Sequence, residues 1–119
     1  MDLPEALSGA TALTESDRRV HPRYTVQVQI EIRQESNDVP MRLATTDLSR
    51  AGCYIELMMP LPVGTHLQAT LWLDGYPIVI QGRAVTCHPQ FGNGIVFEKF
   101  EGQAEQLLQR YLDGIVTTT

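Results

Sequence analysis

The run from residue 67 to residue 87 constrains the fold more than any other part of this chain. Leu67, Ala69, Leu71 and Leu73 alternate with Gln68, Thr70 and Trp72. A period of two puts the apolar set on one face of a β-strand. Asp74-Gly75 follows, a dipeptide suited to a two-residue hairpin turn because both central positions there need positive φ. Residues 78–87 are then the returning strand. Gly82 interrupts it and marks a bulge or a close backbone approach. A hairpin cannot bury its apolar face alone, so further strands must close over it.

Those strands are present. Tyr24, Val26, Val28, Ile30 and Ile32 alternate with Thr25, Gln27, Gln29 and Glu31, which predicts a half-buried strand over residues 24–33. Residues 35–40 (ESNDVP) carry turn chemistry. Residues 41–48 read as a second strand, broken at 49–52, and residues 53–58 as a third. Residues 60–64 (PLPVG) form a loop, residues 89–92 turn the chain, and residues 94–97 make a final strand. The period then changes. Ala104, Leu107, Leu108, Tyr111 and Leu112 recur at three and four residues and form one apolar helical stripe, with Gly114 as the expected helix stop. Six strands and one helix predict an all-β domain with a terminal helix. Pattern alone leaves a closed barrel and a sandwich equally open.

With 119 residues the chain fits one domain. Its 43% hydrophobic and 19% charged residues exclude disorder of the whole. Residues 1–17, rich in Ala, Ser, Thr, Leu and acids, read as a flexible arm with a short helical turn expected around residues 4–7. Residues 18–114 are the folded unit and residues 115–119 a tail. The formal net charge of −5 argues against a general nucleic-acid binder. Yet Arg18, Arg19 and Arg23 crowd into six residues with His21. A compact basic cluster on an acidic chain points to a small anionic ligand. Cys53 and Cys87 do not make a disulfide scaffold, no apolar run approaches membrane-spanning length, and the N-terminus lacks a secretory pattern. A reduced, cytoplasmic protein is the simplest expectation.

Two short patterns carry the function. Arg19-Val20-His21-Pro22-Arg23 is an R-x-x-x-R, preceded by Arg18, where the arm enters the first strand. Asp47-Leu48-Ser49-Arg50-Ala51-Gly52 is a D-x-S-x-x-G, in the turn between the second and third strands. In this order, one hairpin apart, they resemble the two signature motifs of the PilZ domain family. Gly82-Arg83-Ala84-Val85 and Gly94-Ile95-Val96-Phe97 look like its late barrel strands. The resemblance covers about residues 18–112. It implies a six-stranded antiparallel β-barrel with a C-terminal α-helix, in a bacterial receptor module that binds cyclic di-GMP and is not an enzyme. Arg19 and Arg23 match the family's ligand-gripping pair, with Arg18 as a further contact. Asp47, Ser49 and Gly52 match the second motif.

The chemistry of the residue types agrees. Arginine's planar fork suits both a phosphate and the O6/N7 edge of guanine. Asp47 is a charged acceptor for a guanine N1–H and N2–H edge. Ser49 can donate to the ligand or fix the turn. Gly52 is expected either to adopt positive φ or to let a base approach closely. Two motifs on different elements can share one ligand only if the arm closes onto the barrel, which implies an ordering switch read by a protein partner. The chain opens on Met1 and shows no second domain, as in stand-alone members of the family. The alternative is a PilZ-like adaptor that binds no nucleotide, although such members typically lack one or both motifs.

Blander readings exist for each feature. Arginine clusters are often solvated surface, and Asp, Ser and Gly are common turn formers. His21, His66 and His88 match no metal-ligand spacing. The cysteines read as small buried apolar residues. Ser49 has only His21 as a possible base, which makes hydrolysis a poor fit. Trp72 faces away from Leu71 and Leu73, either toward a partner or under the helix. The helical stripe is core or a dimer contact.

Overall fold

The computed structural model describes residues 21–118. Its strands are β1 (Gln29–Gln34), β2 (Asn37–Leu48), β3 (Gly52–Glu56), β4 (His66–Leu73), β5 (Tyr76–His88) and β6 (Gly92–Phe100), followed by helix α1 (Ala104–Thr118). They close into a barrel in the order β1-β2-β3-β6-β5-β4, with every neighbouring pair antiparallel. Closure removes the sheet edges that an open six-stranded sheet would expose. The sandwich is thereby excluded.

Alternation sets what fills the barrel. Ile30 and Ile32 of β1, Leu67, Ala69, Leu71 and Leu73 of β4, Ile78, Ile80 and Ala84 of β5, and Ile95 and Phe97 of β6 are buried together. Ala104, Leu108 and Leu112 of α1 belong to the same core. The helical stripe therefore packs on the barrel. Asp74 and Gly75 take φ of 53° and 84°, the pair of positive values that the β4–β5 turn requires. At Gly82 the β5–β6 register shifts. A Cβ there would come within 2.8 Å of the Val96 carbonyl oxygen, so the bulge and the close approach coincide.

Several boundaries differ from expectation, three of them with a visible cause. The first strand begins at Gln29, not at residue 24. The buried hydroxyl of Thr45 bonds to Val28 N at 3.0 Å and to Val26 O at 2.8 Å, so a side chain replaces part of the backbone ladder there. Pro40 lies inside β2 instead of in the turn. The β1–β2 register slips between Ile32 and Gln34, which accommodates a residue with no N–H to give. Helix α1 runs past Gly114 to Thr118. Gly114 keeps ordinary helical φ and borders a crevice with Leu73, Tyr76 and Tyr111, so it narrows the helix surface without ending it. The expected turn around residues 4–7 lies outside the described residues. Trp72 is half-buried on the outer face, opposite Pro77.

Candidate functional site

The second motif builds a turn that satisfies itself. Ser49 N donates to Gly52 O at 2.8 Å. The Ser49 Oγ accepts from Ala51 N at 3.1 Å and from Gly52 N at 3.2 Å. Ser49 is buried, so its hydroxyl is occupied by the turn. Ala51 O accepts from Phe97 N at 2.8 Å, which ties the turn to β6. Gly52 has no positive φ, contrary to one of its two expected roles. An added Cβ would instead drive into the backbone carbonyl of Ile95. The approach that glycine permits here is that of a neighbouring strand, which explains the residue without any ligand.

The first motif reaches this turn through one backbone bridge. Tyr24 N donates to Leu48 O and Leu48 N to Tyr24 O, both at 2.9 Å. That pairing sets Arg23 beside Asp47, and one guanidinium nitrogen lies 2.8 Å from each carboxylate oxygen. Both side chains remain partly exposed. The ends of two motifs 24 residues apart thus meet as an ion pair. Arg18 and Arg19 lie outside the described residues.

Strand register extends the site across the barrel wall. Asp47 pairs with Tyr54, Tyr54 with Gly94, and Gly94 with Thr86. In the adjacent row Gly52 pairs with Val96. Gly52 and Gly94 add no side chain of their own to this outer surface, although the Thr86 hydroxyl leans over Gly94 and accepts from its N–H at 2.8 Å. The surface forms a trough of about 530 Å³. Arg23, His21, Ser49 and Gly52 line it with Tyr54, Val85, Thr86, His88, Gly94 and Val96. The volume lies in the range of small-molecule clefts. Asp47 stands behind the trough as the anion that holds Arg23. Sequence reading missed Tyr54 and Thr86 as site residues, and considered His88 only for metal. Alternation places Tyr54 outward, but Thr86 and His88 share the parity of buried Ile78, Ile80 and Ala84. Only the register shift between Ala84 and Thr86 turns them outward beside Tyr54.

Tyr54 and His88 close one end of the trough. The Tyr54 hydroxyl lies 2.9 Å from His88 Nδ1, with ring centroids 5.8 Å apart and a 37° tilt. Burial pushes the Tyr54 phenol above its ordinary pKa, and the carboxylates of Glu56 and Asp47 and the Cys87 thiol push the same way. The hydroxyl therefore keeps its proton at neutral pH. Beyond this pair a second groove of about 700 Å³ is lined by Glu56, Leu57, Met58, Gln90 and Phe91. Beneath the turn, burial raises the Cys53 thiol to about 12, with Asp47 adding to the rise and Arg23 opposing it. Cys53 is buried as expected, while Cys87 is only half-buried; both are free thiols. Among the described residues no three His, Cys, Asp or Glu side chains converge as a metal site, and no helix is long and apolar enough to cross a membrane.

No curated protein matches the chain. Several solved structures are similar, two of them as follows. The PilZ domain of CeSA from a cellulose-synthesizing bacterium is 18% identical, with a TM-score of 0.62 over 79% of this chain and 97% of that one. The Bacillus subtilis inhibitor of motility (MotI/DgrA) is 15% identical, with a TM-score of 0.70 over 84% of this chain. The chain spans about half of that second protein, 52% of its length. At these identities the likeness speaks for the fold. The PilZ domain family model matches residues 17–114, well over half the sequence. With the closed barrel already established, the chain belongs to the PilZ domain family, whose members include receptors for cyclic di-GMP.

Proposed function

We propose that this protein is a non-enzymatic receptor for cyclic di-GMP that signals through a protein partner. The observation that carries this is the meeting of both motifs at one trough: Arg23 from the first, Asp47, Ser49 and Gly52 from the second. Arg23 supplies the fork for a phosphate or a guanine O6/N7 edge. Asp47 orients that fork. Ser49 and Gly52 shape the floor over which a planar base can lie. Arg18 and Arg19 supply further positive charge from the arm, and ordering of the arm on the ligand is the switch. In the free protein Arg23 is neutralised by Asp47, so a dianionic ligand must compete for that guanidinium.

A protein output is supported by exposed apolar side chains near the trough. Met58, Met59 and Val63 stand out from the loop between β3 and β4, and Phe91 from the β5–β6 turn. Such surface commonly marks protein contacts. The same observation favours the second reading, a PilZ adaptor that needs no nucleotide.

Calorimetric titration with cyclic di-GMP separates the two. The wild type should bind with affinity that falls as salt rises, and GTP and cyclic di-AMP should not replace it. Arg23→Ala should weaken binding by about tenfold or more, as expected for a lost charge-assisted contact. A folded wild type that binds none would leave the adaptor role.

A further inference from the structure

We infer that Tyr54 and His88 form an aromatic end wall against which a guanine of the ligand stacks. This inference rests on the receptor role proposed above and adds a contact outside both motifs. It begins with the outer face of β6. Gly92 and Gly94 follow the outward phase, because Asn93 between them is wholly buried. Asn93 Oδ1 accepts from Leu61 N, and its Nδ2 donates to Leu61 O and Thr86 O, so that phase is fixed. Tyr54 pairs with Gly94 on one side of β6, and His88 pairs with Gly92 on the other. β6 itself puts no side chain between them. The tyrosine therefore reaches across the strand and bonds the imidazole at 2.9 Å.

This bond holds two aromatic rings together in the lining of a trough that also presents Arg23. The floor between them is glycine backbone with Val85, Thr86 and Val96 at its edges. A flat purine fits a floor of backbone and small side chains, and an aromatic ring beside it offers a stacking face that a phosphate or sugar would not use. The hydroxyl–imidazole bond supplies rigidity, since a braced ring loses less rotamer freedom when a base arrives. When Nδ1 accepts from the tyrosine hydroxyl, Nε2 carries the remaining ring proton and can donate to an oxygen or N7 of the ligand. The site thereby distinguishes purines by ring area as well as by arginine contacts.

The test is calorimetric titration of the full chain with cyclic di-GMP, with Tyr54→Leu and Tyr54→Phe beside the wild type. Nuclear Overhauser contacts from guanine H8 to the Tyr54 ring are read in the complex. Removing the ring should weaken binding by about ten- to a hundredfold, the usual scale for base–aromatic stacking. The phenylalanine variant keeps the ring and should recover affinity to within about threefold of the wild type. H8 contacts to the ring should be present in the wild type and in Tyr54→Phe. Wild-type affinity in Tyr54→Leu would overturn the stacking role and leave the receptor role standing. Equal loss in both variants would also overturn it, since the hydroxyl and not the ring would then matter. A wild type that binds no cyclic di-GMP would remove both.

Discussion

The two rims of the trough are held in different ways. The Ser49–Gly52 rim is backbone pinned by its own hydrogen bonds and by β6, with Ser49 buried. The Arg23 rim hangs on one backbone bridge and one partly exposed ion pair. The first arrangement is framework: disturbing it costs packing and buried hydrogen bonds. The second is exchangeable, because an exposed ion pair contributes little to stability and can trade its anion for another. The family's two motifs thus have separate physical duties. One makes the shape, and the other makes the charge that a ligand can take over.

Substitutions should separate these duties. Gly52→Ala is expected to have the largest effect on stability, about 3 kcal/mol, because the new methyl meets a strand carbonyl and not a movable side chain. Chemical denaturation would read this, and a cost below about 1 kcal/mol would show that β3 and β6 separate easily and that this rim is not rigid. Ser49→Ala should cost about 1 kcal/mol, leaving two turn amides without the hydroxyl that accepts from them. Arg23→Ala should change stability by less than about 1 kcal/mol while impairing ligand binding. A stability loss as large as that of Gly52→Ala would erase the distinction between the rims.

A further effect concerns the thiol beneath the rigid rim. Cys53 has its pKa raised from 9.0 to about 12, chiefly by burial. The folded state therefore keeps a proton that the unfolded state releases. Stability linked to this group is intact below pH 9.0 and is lost progressively as pH climbs toward 12. Denaturation at about pH 8 and about pH 10 should show a larger alkaline loss in the wild type than in Cys53→Ala. Equal losses would mean that the thiol is less enclosed than the turn above it implies.

The strands were largely legible in advance, and their closure into a barrel was what the family resemblance implied. Residues 67–73 alternate strictly and all four apolar members are buried. Asp74-Gly75 could make few other turns, and the outcome is the expected pair of positive φ values. The expected strand start at residue 24 and helix stop at Gly114 do not hold, because side-chain bonding by Thr45 and the packing of Leu112 and Ile115 on the core override local signals. The site was legible where motif chemistry is local. Arg23, Asp47, Ser49 and Gly52 were named from the resemblance of two short motifs to the family's signatures, but the reason for Gly52 lies in Ile95, more than forty residues away in the chain.

Alternation and turn residues by themselves determined which side chains of residues 67–73 face inward, where the main hairpin turns, and that an amphipathic helix follows the strands. They could do so because period and turn chemistry act over a few residues. Only the tertiary structure decided that Arg23 meets Asp47, that glycines at 52 and 94 share one outer surface, and that Tyr54 bonds His88 across β6. Those relations depend on strand order and register around a closed barrel, and register is set by the packing of all six strands at once.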